Sequence, residues 1–205
     1  MIDKHCITTI LFDLGGVLVE LHGTPYKPEW LPDNDEVADV WSHWKGSNTV
    51  KQFECGHIDA GQFAKQFMNE VGLACEEDEF IEHFKHWPAK LFPGVPDMLD
   101  ELAENYQLAA LSNANELHWP GVMQGMNLQA YIPNSFSSHQ IRVTKPGRRA
   151  FEVVLHHLNV QPETVLFLDD LQASIDMASS MGMQAVKVIG TRGGVETVRS
   201  LGLIR

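Results

Sequence analysis

Four short stretches of the chain are apolar with little polar alternation: Thr8–Phe12, Gln107–Leu111, Thr164–Leu168 and Gln184–Val188. Such a run, bounded by turn residues, predicts a strand covered on both faces, as in a parallel sheet flanked by helices. Between the runs, apolar residues recur every three or four positions. Pro96–Glu104 places Met98, Leu99 and Leu102 on one face, and the segment from Arg149 aligns Phe151, Val154, Leu155 and Leu158. Gln172–Met181 carries a stripe of Ile175, Ala178 and Met181 and meets Gly182, a helix stop. Alternation of strand and helix from Val95 onward predicts an α/β fold, a doubly wound, Rossmann-like parallel sheet.

Residues 21–87 read differently. They are rich in Trp, His, Phe and Glu, and no strand pattern stands out. Candidate helices are Glu36–Trp44, Thr49–Glu54, Ala60–Val71 and Glu77–His86. Asp59 is a candidate N-cap, and Gly56 and Gly72 follow helix ends. Residues 1–20 and 88–205 are therefore expected to form the α/β core, with 21–87 a helical insertion returning to the sheet near Pro93-Gly94. Trp41, Trp44, Phe63, Phe67, Phe84 and Trp87 fall at helical spacing and are expected mostly in the core of the insertion. A ligand cleft is expected where the insertion faces the carboxyl ends of the strands.

With 205 residues, 44% of them hydrophobic, the chain can bury a core without covalent staples. Its net charge of −12 argues against nucleic acid and anionic membrane surfaces as partners. A phosphorylated substrate stays compatible, since a cation and a local lysine reverse the field inside one cleft. Cys6, Cys55 and Cys75 show no zinc-site spacing and read as reduced thiols of a cytoplasmic protein. Asp3 precedes the first apolar run and Asp13 ends it, a pattern of neither a signal peptide nor a membrane span.

Each predicted strand ends in a polar residue: Asp13, Ser112 and Asp169-Asp170. In a parallel sheet these emerge at one edge, where ligands bind. Lys145, expected to open a helix, completes the set. Taken singly, each residue has an ordinary reading as a turn former, an N-cap or a surface lysine. Together, three carboxylates suit a hard divalent cation such as Mg²⁺, and the ammonium and hydroxyl suit an anion beside it. A carboxylate next to a phosphoryl group can attack phosphorus. Gly15 and Gly16 let backbone N–H groups approach a phosphate.

Phe12-Asp13-Leu14-Gly15-Gly16-Val17-Leu18, Leu111-Ser112-Asn113, Lys145-Pro146 before Phe151, and Phe167-Leu168-Asp169-Asp170 resemble, in order, the four motifs of the haloacid dehalogenase superfamily. The helical insertion resembles that family's C1 cap. Phe53-Glu54-Cys55-Gly56-His57-Ile58 followed by Phe63 is similar to caps of a branch that includes glucose-1-phosphate phosphatases and the phosphatase domain of epoxide hydrolases. The resemblance implies Asp13 as nucleophile and metal ligand. Ser112 and the N–H of Asn113 would bind phosphoryl oxygens, as would Gly15 and Gly16. Lys145 would neutralise charge, and Asp170, Asp169 and the carbonyl of Gly15 would complete the Mg²⁺ ligands. It implies a phosphatase for a small phosphorylated metabolite such as a sugar phosphate, acting as a monomer or homodimer without nucleic acid or membrane. A metal-independent haloacid dehalogenase and a non-catalytic phospholigand-binding protein are the alternatives.

Two positions depart from the family pattern. Gly15 stands where phosphatases of the family carry a second Asp as acid and base, and Ser174 stands where Asn is frequent. Glu20, His22 and His118, just beyond the first and second motifs, are candidates for a substrate role, and His22 and Glu20 are the next candidates for proton transfer. The ten histidines form no ligand cluster by spacing, and the adjacent His156 and His157 face different sides of one helix.

Overall fold

The computed structural model describes residues 2–31, 37–188 and 193–205. The chain enters through strand β1 (Thr9–Phe12) and leaves the core through β2 (Val19–Leu21). Among the described residues, a short 3-10 turn (Pro28–Trp30) and four α-helices follow: α1 (Val37–Gly46), α2 (Asn48–Glu54), α3 (Ala60–Val71) and α4 (Glu77–Lys85). The predicted start of α1 at Glu36 lies outside the described residues. The chain returns by β3 (Pro88–Leu91), which pairs antiparallel with β2, and continues into α5 (Val95–Ala103) and β4 (Gln107–Ser112). The return was expected near Pro93-Gly94; the two-stranded ribbon is the actual junction. Next come α6 (Leu128–Tyr131), β5 (Asn134–Ser137), α7 (Ser138–Ile141), α8 (Arg148–Leu158), β6 (Val165–Asp169), α9 (Gln172–Ser180), β7 (Gln184–Lys187) and α10 (Gly193–Ser200).

The main sheet has the order β5-β4-β1-β6-β7, and every pairing is parallel. Strand alternation divides the core into two layers. Ile10, Phe12, Leu108, Ala110, Leu166 and Leu168 face one way, against α5 and α10. Leu11, Ala109, Leu111, Val165 and Phe167 face the other, against α8 and α9. This double coverage is why the strands read as unbroken apolar runs. At about 1.5–3 kcal/mol per fully buried large apolar side chain, these layers dominate the favourable side of folding.

The helices between β2 and β3 close on a separate aromatic cluster. Trp44, Phe53, Phe63, Phe67, Phe80, Phe84 and Trp87 meet there, with the Phe53 and Phe63 rings stacked at 4.3 Å. Helix α3 begins as its sequence predicts: Asp59 accepts from the Gln62 N–H, Gln62 reaches back to the Asp59 N–H, and Gly72 ends the helix at φ +80°. No helix among the described residues is long and apolar enough to cross a membrane.

Polar contacts fasten the insertion to the α/β core. Glu116 accepts from the Ala60 N–H at 2.7 Å. The carbonyl of Gly56 accepts from Arg142. His118, buried beyond β4, donates from Nε2 to the Phe84 carbonyl at 2.7 Å, while its Nδ1 faces the Asn115 side-chain amide at 3.1 Å. That pattern holds the imidazole neutral, and burial pushes its pKa down to about 4.

A stability prediction follows from His118. As pH falls below about 6.5, the unfolded chain takes up a proton that the folded imidazole refuses until about 4. This group therefore stabilises the fold above that window and loses about 3 kcal/mol across it. Denaturant midpoints measured from pH 7 to pH 4 should fall less steeply in His118→Gln than in the parent. Parallel profiles would show that His118 does not refuse the proton.

Candidate active site

The strand order places three strand ends side by side. Asp13 follows β1, Ser112 ends β4 on one flank, and Asp169 ends β6 on the other. The Asp13 N–H donates to the Leu168 carbonyl at 2.8 Å, so the sheet register itself delivers this carboxylate beside β6. Lys145 does not open a helix as expected. It sits in the loop before α8, which starts only at Arg148, after Pro146-Gly147. Its buried Nζ lies 2.9 Å from Asp13 Oδ1 and 2.6 Å from Asp169 Oδ2.

Each member of this cluster is held by a further bond. Asp13 Oδ1 accepts from the Leu14 N–H, and Asp169 Oδ1 accepts from the Leu171 N–H, both at 2.7 Å. The Asn113 side chain clamps the Lys145 backbone reciprocally. Its Oδ1 accepts from the Lys145 N–H at 2.8 Å, and its Nδ2 donates to the Lys145 carbonyl at 3.0 Å. The family resemblance valued Asn113 only for its main-chain N–H, so this positioning role was not legible beforehand.

Asp170, half-buried, joins Asp13 and Asp169 in a group in which one carboxylate oxygen from each lies within 4.8 Å of the other two. Three carboxylates against one ammonium leave two negative charges in a buried space, which fits one hard divalent cation. Without a cation, burial pushes the Asp13 carboxyl up to about 7, opposed by Lys145 and reinforced by Asp169 and Asp170. Burial and then Asp169 likewise raise Asp170. For Lys145, burial alone would favour the neutral amine, but Asp13 and Asp169 more than offset it and hold the ammonium above the usual lysine range.

The two glycines separate in role. Gly16, at φ +75°, donates its N–H to the Val19 carbonyl at 2.9 Å, so that donor is already committed within the turn. A Cβ on Gly16 would fall 2.8 Å from Asp170 Oδ2, so the missing side chain is what lets Asp170 approach. Gly15 faces the cleft, and a Cβ there would touch only the Leu21 side chain, at 3.5 Å.

The cleft has a volume of about 840 Å³. Asp13, Ser112, Asn113, Lys145 and Asp170 lie on its floor, and Trp41, Trp44, Trp87 and Trp119 line it. Among the described residues, the buried Trp87 indole N–H has no hydrogen-bond partner. The same holds for the Ser174 hydroxyl, at the position where the family pattern differs. Glu20 and His22 are not among the lining residues; Glu20 lies 3.5 Å from Lys90 on the exposed ribbon. His118 reaches the cleft wall, but both ring nitrogens are engaged. Glu54, at the end of α2, does line the cleft, close enough for its charge to couple to Asp13 and Lys145. It stood in view within Phe53–Ile58 and was missed as a site residue.

The description haloacid dehalogenase-like hydrolase matches residues 7–182. The chain is 25% identical over 210 residues to Phosphatase MT3486 of Mycobacterium tuberculosis, covering 97% of this chain and 96% of that protein. It is 25% identical over 221 residues to mouse acyl-CoA dehydrogenase family member 10, covering 94% of this chain but only 19% of that larger protein. Among solved structures it is similar to a HAD family enzyme from Bacteroides thetaiotaomicron in complex with magnesium and inorganic phosphate. That match has a TM-score of 0.74 and 21% identity, and covers 89% of this chain and 94% of the other. L-2-haloacid dehalogenase from Xanthobacter autotrophicus, with chloropropionic acid covalently bound, matches at a TM-score of 0.68 and 18% identity, with coverage of 97% and 85%.

Lys145→Met should be strongly destabilising, because it leaves Asp13 and Asp169 buried without their counter-ion. Breaking such a pair costs about 3–5 kcal/mol. Urea unfolding with and without Mg²⁺ tests this: the deficit should be large in chelator and shrink when Mg²⁺ is added. A variant as stable as the parent in chelator would mean that the pair is not load on the fold.

Proposed function

The chain belongs to the haloacid dehalogenase-like hydrolase family, and we propose that within it this protein is a Mg²⁺-dependent phosphatase of a small phosphorylated metabolite. The observation that carries this reading is the buried cluster of Asp13, Lys145, Asp169 and Asp170, two negative charges in excess at the floor of the cleft. The likeness to a mycobacterial phosphatase over nearly the whole length of both chains supports it.

In this reading Asp13 attacks phosphorus through a carboxylate oxygen and the ester oxygen departs, leaving an aspartyl-phosphate that water then hydrolyses. Lys145 holds Asp13 in one orientation and offsets phosphoryl charge. Ser112 and the main-chain N–H of Asn113 bind phosphoryl oxygens, and Gly15 admits the phosphate against the backbone. Asp13, Asp170 and the Gly15 carbonyl would hold Mg²⁺, with Asp169 directly or through water. The cation would supply electrostatic stabilisation of charge on the phosphoryl oxygens.

We assign residues 21–87 the role of a cap that selects substrate and excludes water. The aromatic walls suit a sugar ring or another compact group that packs on indole faces. Cys6, Cys55 and Cys75 are all free thiols, which suits a reducing compartment such as the cytoplasm. A haloacid dehalogenase would keep Asp13 as nucleophile but attack carbon and need no metal. The similarity to the Xanthobacter enzyme favours that reading, whereas the Asp169-Asp170 pair counts against it.

A panel of phosphorylated metabolites should reveal Mg²⁺-dependent release of phosphate that vanishes in excess chelator and in Asp13→Asn. Phosphate release by Asp13→Asn near the parent rate would reject the covalent route. Metal-independent turnover of a 2-haloacid alone would establish the dehalogenase. Binding of phosphate esters without any turnover would establish a non-catalytic protein.

A further inference from the structure

Both halves of the proposed reaction need a mobile proton, and position 15 carries no side chain to supply it. Leu21 packs over that position, so the wall there is apolar. The other proton-bearing groups of the cleft are committed. Asp13 and Asp170 serve the nucleophile and cation roles, Lys145 is locked between two carboxylates, and both ring nitrogens of His118 are engaged. Lys45 and Lys51 line the cleft but are exposed. Among the described lining residues, Glu54 is the remaining carboxylate.

The fold places Glu54 with care. The next two residues dock on the segment that leads into Lys145. The Cys55 thiol lies near enough to the Thr144 side chain to feel its polarity, and the Gly56 carbonyl accepts from Arg142. Gly56 adopts φ +65°, and a Cβ there would lie 2.6 Å from the His139 carbonyl oxygen, so only glycine lets the chains meet this closely. The end of α2 is thereby pinned to the loop holding the catalytic ammonium.

We propose that Glu54 is the general acid and base of this site, supplied by the helical insertion in place of the side chain absent at Gly15. The assignment rests on the phosphatase reading. As the Asp13 Oδ–P bond forms and the ester O–P bond breaks, the protonated Glu54 carboxyl passes its proton to the departing oxygen, releasing an alcohol. The resulting carboxylate then takes a proton from water as that water's oxygen bonds to phosphorus and the Asp13 Oδ–P bond breaks. Phosphate leaves, Asp13 is again a carboxylate, and Glu54 is again protonated. Burial pushes the Glu54 carboxyl up to about 7, moderated by Lys145 and reinforced by Asp13, so both forms are populated near neutrality.

The test compares the parent with Glu54→Gln and Glu54→Asp in saturating Mg²⁺, on p-nitrophenyl phosphate and on glycerol 2-phosphate. A positioned acid or base is worth about 10²–10⁴-fold, so Glu54→Gln should lose about that factor in kcat on the alkyl ester, with KM little changed. On p-nitrophenyl phosphate, whose leaving group needs no proton, the burst of nitrophenol should persist while acid-quenched phosphoenzyme accumulates. Glu54→Asp, which keeps an acid on a shorter stem, should recover part of the alkyl-ester rate. Parent-like turnover of both esters by Glu54→Gln overturns the proposal while leaving the phosphatase reading intact. So do equal alkyl-ester rates in the two variants, even where both are less stable. A parent that releases phosphate from neither ester ends the phosphatase reading, and this proposal with it.

Discussion

A single buried ammonium organises this molecule. Lys145 sits between Asp13 and Asp169 with almost no access to solvent. A lone charge there would be strongly disfavoured, and two neighbouring carboxylates without it would be worse. The cluster can exist only where the ends of β1 and β6 are held side by side and a third segment delivers the lysine. The sheet register meets the first condition, and the Asn113 clamp on the Lys145 backbone meets the second. Three carboxylates against one ammonium leave the floor of the cleft formally negative, an arrangement that suits a hard divalent cation.

The cleft over this cluster is assembled from two hydrophobic cores. The α/β layers fix the floor, and the aromatic cluster of the insertion shapes much of the wall. Between them lies a seam of hydrogen bonds through Glu116, His118 and Arg142. The Arg142 bond to Gly56 fastens the chain just after α2, next to Glu54. A polar seam suits this job because its geometry is directional, whereas apolar packing tolerates sliding. It also makes the junction sensitive to protonation at His118, the one fastening whose donor pattern depends on a neutral ring.

Much of the architecture was legible in the chain itself. The four apolar runs became β1, β4, β6 and β7; the first three are covered on both faces and advertise their burial residue by residue, whereas β7 is a partly exposed edge strand. Ala60–Val71 formed with the predicted caps, because capping chemistry is local. Asp13, Ser112, Asp169 and Asp170 could be placed at one edge because parallel strands share a direction. Strand β5, reading Asn-Ser-Phe-Ser, was missed: it is a short, polar edge strand defined by its pairing with β4. The β2–β3 ribbon joins segments separated by the whole insertion, so no local pattern announces it.

The chain alone thus determined the alternation of strand and helix and the polar residues that end the strands. Each depends on periodicity, caps or strand direction, which are properties of neighbours in sequence. The tertiary structure decided that Asn113 clamps Lys145, that the Gly16 N–H is spent on Val19 while its bare Cα admits Asp170, and that Glu20 and His22 lie outside the lining of the cleft. It also decided that Glu54 lines the same cleft as Asp13 and Lys145. That last placement joins positions 54, 13 and 145 through the packing of three separate segments, and proximity of that kind is set by long-range contacts that no window of sequence contains.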